Sequence, residues 1–207
     1  MGEYVVMKDW IGNKNSIYKT LGASNHTDKE RETNDYYATD PIAIDKLLTV
    51  EEPSHFIYEC ACGEGHLSER LKEKGYEVFS SDIVGRNYGD AVVQDFFEVN
   101  KLGGLFDILT NPPYKFAKEF VLHSLELLEE GRTCYMFLKL TFLEGKTRYK
   151  ELFSKYPPKR IHVFSERVLC AKNGKFKEMQ NAGGSAVCYA WFVWEKGYKG
   201  KTEIDWI

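Results

Sequence analysis

No stretch of this 207-residue chain stays apolar for the roughly 18 residues that a membrane-crossing helix needs. The opening residues, Met1-Gly2-Glu3-Tyr4, carry neither the basic start nor the apolar stretch of a secretory signal, so a cytoplasmic protein is expected. Cysteine is scarce. Five residues, an odd number without regular spacing, do not make a disulfide framework and fit a reducing compartment. Cys60 and Cys62 are one residue apart, where zinc knuckles and redox motifs use two. With His66 nearby they are expected to be small buried residues beside a glycine loop, and no metal is expected. A positive charge balance is missing too, since 28 Lys/Arg stand against 31 Asp/Glu, which argues against a generic nucleic-acid coat.

The charge is unevenly spread. Residues 1–138 hold 14 basic and 24 acidic side chains, whereas residues 139–177 hold 11 basic and 3 acidic ones. A basic stretch in an acidic protein is what a phosphate-facing surface looks like, and a solvated lysine-rich face has the same composition. With 43% hydrophobic and 29% charged residues, the chain has material for one packed domain and little room for a second.

Residues 1–35 are polar with weak periodicity and read as an N-terminal arm; the domain is expected over 36–207. Asp40-Pro41 opens a short helix over 42–48, with Asp40 as its cap and Pro41 in the first turn. Strands are expected at 56–61, 76–81, 91–93, 106–109, 134–138, 161–164 and 186–194. Between them, helical spacing runs through Leu67, Leu71 and Lys74 to a stop at Gly75, then from Phe116 to Leu128, and again over 146–153. Strands alternating with helices imply an α/β fold with a doubly wound, mostly parallel sheet of seven strands. Such sheets bind ligands beyond the carboxyl ends of their strands, and each chemically suggestive motif falls at such an end.

The first motif is Glu59-Cys60-Ala61-Cys62-Gly63-Glu64-Gly65. Its glycines allow a sharp turn and close ligand approach, but it is not G-x-G-x-x-G, and its glutamates would repel a pyrophosphate. They suit a ligand with a cationic ammonium or sulfonium, such as S-adenosylmethionine. Asp82 ends the second strand, where a carboxylate accepts ribose hydroxyls, and Ile83 beside it can pack on an adenine. Asp95 can accept from an adenine amino group while Phe96 covers its ring; equally, Asp95 can be a cap and Phe96 a core residue. Asn111-Pro112-Pro113-Tyr114 is the specific motif. Two prolines fix an extended backbone and remove two N–H donors, leaving the Asn111 side-chain oxygen and the Pro112 carbonyl as a rigid pair of acceptors. Such a pair can take both hydrogens of a planar NH2 group and free its lone pair, with Tyr114 as a stacking face.

Together with Tyr37–Pro41, this ordered set resembles the motifs of DNA methyltransferases that modify the adenine amino group, in the gamma order. The stretches Thr20–His26 and Asn34–Thr39 resemble small solitary members carried by phages and prophages, in the cytoplasm of a bacterial host. The resemblance implies a Rossmann-like class I methyltransferase with its last strand antiparallel, S-adenosylmethionine as cofactor and double-stranded DNA as substrate. It implies a monomer or weak dimer. It puts Glu59 and Ala61 at the cofactor's methionine end, with Thr39 and Pro41 helping there, counts Tyr37, Gly63 and Gly65 among the cofactor-binding residues, and puts Asp82, Ile83, Asp95 and Phe96 at its ribose and adenine. Asn111, which would also border the cofactor, and Pro112, Pro113 and Tyr114 would hold a flipped base, with Phe164 or Phe176 on its far side. Larger members carry a separate recognition domain for which this chain has no room. DNA contacts are therefore expected from loops 141–158 and 166–185 and their neighbours, through Lys139, Lys146, Arg148, Lys150, Arg167, Lys172 and Lys175.

Two other readings use the same residues. Asn-Pro-Pro-Tyr also serves enzymes that methylate glutamine amides in release factors, and related forms act on ribosomal RNA. The release-factor enzymes have an N-terminal helical domain, which residues 1–40 do not provide, and an aliphatic residue after the tyrosine, where this chain has Lys115. A non-catalytic DNA-binding module on the same fold would not need Asn111, Tyr114 or the glycine loop.

Overall fold

The computed structural model describes residues 37–172, 174, 176–177 and 187–207. The expected N-terminal arm and Lys175 lie outside the described residues. Ten strands are described: β1 (Tyr37–Thr39), β2 (Phe56–Glu59), β3 (Glu77–Asp82), β4 (Ala91–Val93), β5 (Phe106–Thr110), β6 (Thr133–Lys139), β7 (Arg160–Val163), β8 (Cys170–Lys172), β9 (Tyr189–Glu195) and β10 (Glu203–Trp206). The helices are α1 (Ile42–Leu47), α2 (His66–Glu73), α3 (Ala117–Leu127) and a three-residue α4 (Lys146–Arg148) that runs into a π-helical turn over Tyr149–Phe153.

Eight strands form one sheet in the order β10-β7-β9-β6-β5-β2-β3-β4. Only β9 runs against its neighbours, pairing antiparallel with β6 and β7; the other pairs are parallel. The doubly wound, mostly parallel class follows from the alternation of elements, but two details differ from expectation. The sheet has eight strands rather than seven, and the antiparallel strand is the penultimate one. The extra strand, β10, is exposed at all four residues, so it lacks the apolar alternation that marks a half-buried strand. Main-chain bonds hold it instead, including Ile207 N to the Val163 carbonyl at 2.9 Å. A two-stranded ribbon of β1 and β8, antiparallel with Thr39 opposite Cys170, is a further unexpected element.

Alternate side chains of the central strands feed two cores. On β6, Cys134, Met136 and Leu138 face α3, together with Phe120, Phe192 and Trp194. Tyr135 and Phe137 face the other layer, with Ile44, Leu67, Leu71 and Trp191. Burying each large side chain contributes about 1.5–3 kcal/mol. Trp191 also donates its indole N–H to the Ala43 carbonyl at 2.9 Å, which ties α1 to the sheet. Asp40 Oδ1 accepts from the Ile42 amide at 3.1 Å, the capping role its sequence position suggests.

The strand order places the switch point between β2 and β5. From β2 the chain winds outward through β3 and β4, and from β5 it continues to β6 on the opposite side. The glycine turn after β2 and Asn111 after β5 therefore flank the crevice where such sheets bind ligands.

Candidate active site

The glycine turn is built on buried acid. Glu59 ends β2 only 2% exposed, and its carboxyl accepts a hydrogen bond from Ser68 Oγ, which also meets Ser80 Oγ at 2.7 Å. Burial pushes the Glu59 carboxyl up to about 8, more than the Ser68 bonds pull it down. Gly63 adopts φ 57° and turns its amide back onto Asp82 Oδ2 at 2.8 Å. Gly65 has φ 81°, and a Cβ there would fall 2.6 Å from the Tyr88 ring, so a side chain would strain the backbone and have to displace that ring. Ala61 is half-buried against the α3-side core, and Pro41 stands at the head of α1. Cys60 and Cys62 are buried, and burial raises both thiols. His66 packs edge-on against Phe176 at 5.5 Å between ring centres. Among the described residues, no three His, Cys, Asp or Glu side chains gather as metal ligands.

Asp82 ends β3 with both oxygens facing main chain: Oδ2 takes the Gly63 amide and Oδ1 the Val84 amide at 2.9 Å. It shapes the turn, and the lone pairs left over can still meet a ligand hydroxyl. Ile83 is 57% exposed and free to cover a planar ring. Asp95 Oδ1 caps a single 3-10 turn through the Phe97 amide at 2.9 Å. The Phe96 ring takes the core place that its sequence position also allowed. It is 2% exposed and stacked on Phe120 at 4.9 Å, while the neighbouring Phe97 is 40% exposed. A Phe-Phe pair after a cap leaves open in sequence which ring turns inward.

Asn111 follows β5 directly. Its Nδ2 donates to Thr39 Oγ1 at 2.8 Å and the Tyr37 carbonyl at 3.1 Å, and lies 3.5 Å from Cys170 Sγ. Its Oδ1 is buried and has no hydrogen-bond partner. A buried acceptor without a donor costs about 1–3 kcal/mol, which a ligand N–H would recover. Pro112 is buried and Pro113 half-buried, with no cis peptide among the described residues. Tyr114 opens a short 3-10 turn. Its hydroxyl lies 3.4 Å from Cys170 Sγ, and burial holds its pKa well above the usual tyrosine range. Tyr189 stacks beside it at 6.2 Å and 28°.

The basic and aromatic candidates divide. Lys139 belongs to this corner rather than to the outer surface, its Nζ 4.5 Å from the centre of the Tyr114 ring. Lys146, Lys150 and Arg167 are exposed. Arg148 is turned inward, bonding the Phe142, Thr141 and Glu144 carbonyls and lying over the Phe142 ring at 5.0 Å. It is a fastener of its own turn rather than an exposed cation. The backbone of Lys172 lies in β8. Neither Phe164 nor Phe176 stands against Tyr114: Phe164 packs on Phe137 at 5.8 Å, and Phe176 covers His66 beside the glycine turn. Tyr189 and Cys170 were not among the sequence candidates. The signal for Cys170 was the run Val168-Leu169-Cys170-Ala171, wholly buried within a stretch expected to be a substrate loop.

A groove of about 660 Å³ opens elsewhere, at the amino ends of the strands, lined by Glu51, Asp107, Arg132, Arg160 and Glu195 among others. Most of its charges are already matched, as in Arg160 with Glu51 and Lys159 with Glu195. The partnerless amide oxygen of Asn111 stands at the other end of the sheet; among the described residues Thr110 Oγ1 and Ser124 Oγ are also buried without a partner.

The Rossmann-like sheet is similar in fold to many solved structures, S-adenosylmethionine-dependent methyltransferases among them. Among them are the Burkholderia thailandensis 1,6-didemethyltoxoflavin-N1-methyltransferase with bound S-adenosylhomocysteine (12% identity, 88% of this chain and 85% of that one, TM-score 0.51). Two others come from restriction systems. The type IIG restriction endonuclease BpuSI matches at 15% identity over 82% of this chain and 26% of its own, with a TM-score of 0.55. A component of a type I restriction-modification system matches at 15% identity over 93% and 48%, with a TM-score of 0.53. The chain thus spans about a quarter and about half of those two proteins. No family model and no curated protein matches the sequence.

Proposed function

We propose that the chain transfers a methyl group from S-adenosylmethionine to the N6 amino group of adenine in DNA, with the target base flipped into the Asn111–Tyr114 corner. The observation that carries this reading is the buried, partnerless Asn111 Oδ1 at the switch point of a methyltransferase fold. An acceptor in that setting calls for a ligand N–H. The acidic turn fits the cofactor, since Glu64, Asp82 and Asp95 suit a cationic, hydroxyl-bearing molecule and would repel a pyrophosphate, while Glu59, its pKa raised by burial, can ionise against a bound cation. The cofactor supplies a methyl group already activated on a sulfonium.

The chain's own residues then do the positioning. Asn111 Oδ1 and the Pro112 carbonyl accept the two amino hydrogens, which draws the nitrogen out of the ring plane and frees its lone pair. After transfer, the nitrogen is positively charged and strongly acidic, and its surplus proton is released to water. Tyr114 offers its face to the base, which takes the place of the Lys139 ammonium now lying over the ring. Flipping costs a few kcal/mol, which stacking and the two hydrogen bonds must return. Restriction-system proteins share the fold, as do proteins described as RNA and small-molecule methyltransferases, so DNA is preferred here on the order of the sequence motifs.

Radiolabelled methyl transfer tested separately on DNA, RNA and protein fractions is the direct experiment. Label is expected in DNA as N6-methyladenine. Asn111→Ala is expected to abolish it while leaving cofactor affinity within about threefold, since it removes an acceptor for the developing charge rather than a cofactor clamp. Label in protein or RNA instead would give the same corner to a glutamine amide or an RNA base.

A further inference from the structure

Resting on the methyltransferase reading, we infer that Thr39 is a positioning residue for the Asn111 amide rather than a cofactor ligand. An asparagine amide is nearly symmetric in shape, and its usefulness here depends on which end faces the substrate. Three acceptors surround Nδ2: Thr39 Oγ1 at 2.8 Å, the Tyr37 carbonyl at 3.1 Å and Cys170 Sγ at 3.5 Å. They leave Oδ1 pointing at the place where no partner stands. Were the amide turned over, Oδ1 would face the Tyr37 carbonyl, which has no proton to give, the Thr39 hydroxyl would have to swing its proton away from Cys170 to meet it, and two N–H donors would face a substrate NH2 that needs an acceptor.

The Tyr37 contribution is main chain, and a sulfur is a weak acceptor. Thr39 therefore provides the one strong side-chain partner described at Nδ2. The fold holds it there firmly. Thr39 is 2% exposed, sits opposite Cys170 in the β1–β8 ribbon, and is β-branched, so its rotamer freedom is small. Its hydroxyl proton can turn to the Cys170 sulfur, which leaves an oxygen lone pair for Asn111.

Thr39→Val keeps the shape and removes the oxygen; Thr39→Ser keeps the oxygen. With cofactor saturating, single-turnover DNA methylation by Thr39→Val is expected to fall by about 10- to 100-fold, the scale of a misplaced catalytic group. Affinity for S-adenosylhomocysteine should stay within about twofold in both variants, and Thr39→Ser should remain within about threefold of the parent rate. A valine variant that loses cofactor affinity yet turns over normally once saturated overturns the proposal. So does a serine variant as slow as the valine one. A second readout needs neither variant nor turnover: solvent exchange of the Asn111 side-chain amide protons by NMR in the unmodified chain. Slowed exchange is expected, and exchange as fast as in an exposed asparagine overturns the pairing even if Thr39→Val fails to fold. A parent chain that methylates no DNA, RNA or protein would remove the methyltransferase reading, while the exchange measurement would still judge the Thr39–Asn111 pair.

Discussion

Glu59 is a carboxyl group enclosed by protein on the floor of the glycine turn, and its proton is the part that responds to pH. Burial raises its pKa from the usual 4.5 to about 8, against the pull of the Ser68 bonds. The folded chain therefore holds that proton more tightly than the unfolded one. The resulting stabilisation is complete below about pH 4.5 and is lost as pH rises through about 8. A cation bound at the turn favours the carboxylate, so cofactor binding near neutral pH should expel a proton. Calorimetry of S-adenosylmethionine binding in buffers of different ionisation enthalpy is expected to find that release between about pH 6 and 8, with affinity rising over the same range. Glu59→Gln should flatten both. Binding without proton release in the parent chain would take Glu59 out of the ligand's reach. The sequence indicated the residue but not this behaviour. An acid before a glycine turn is visible, whereas Ser68 and Ser80 closing over it depend on the packing of α2 and β3.

At the scale of elements, the strands with an apolar code were legible and those without one were not. The runs at 106–109 and 134–138 lie within β5 and β6, and the expected stop at Gly75 coincides with a residue at φ 91°. The ribbon and β10 escaped because β1 and β8 are three residues each and β10 has no buried face. What docks β10 is polar. Buried His162 meets Glu51 Oε1 at 2.7 Å and Asp205 Oδ1 at 2.5 Å, and Arg160 also bonds Glu51. Burial alone would discharge the imidazole, but the bonds to Glu51 and Asp205 outweigh it and raise its pKa. That stabilisation is full below the ordinary histidine value of 6.5 and fades as pH rises through the higher folded value. Glu51 has the opposite sense: burial pushes it up, its bonds to His162 and Arg160 pull it further down, and its contribution disappears in acid. Amide exchange in β10 is thus expected to be slowest in mildly acidic solution and faster above neutrality. In His162→Gln the alkaline increase should vanish. If β10 amides in the parent chain exchange at a pH-corrected rate that stays flat from about pH 6 to 9, the clasp does not hold the strand.

For the whole molecule, the sheet gathers onto one edge residues that lie up to 80 positions apart in the chain: Glu59 at the end of β2, Asp82 at the end of β3, Asn111 after β5 and Lys139 at the end of β6. That convergence was readable because a parallel sheet puts every strand's carboxyl end on the same side. Which basic side chains face outward was not readable, since charge counts carry no direction. Lys139 turned inward to Tyr114 and Arg148 to its own turn. The exposed cations of residues 141–158 are Lys146, Lys150 and Lys155, beside the exposed Tyr149. If this surface tracks a DNA backbone, each phosphate contact releases condensed counterions, and the log of affinity falls with the log of salt by about 0.9 per contact. Replacing the three lysines with glutamine should weaken binding to all DNA sequences alike and reduce that slope by up to about 3. Arg148→Ala should leave the slope nearly unchanged and instead lower the melting temperature, because its guanidinium holds the 141–148 turn together. DNA binding measured from low to moderate salt separates the two effects. A triple variant with the parent's slope would mean that the nucleic acid approaches from another side, with the exposed Arg167 the next cation to test.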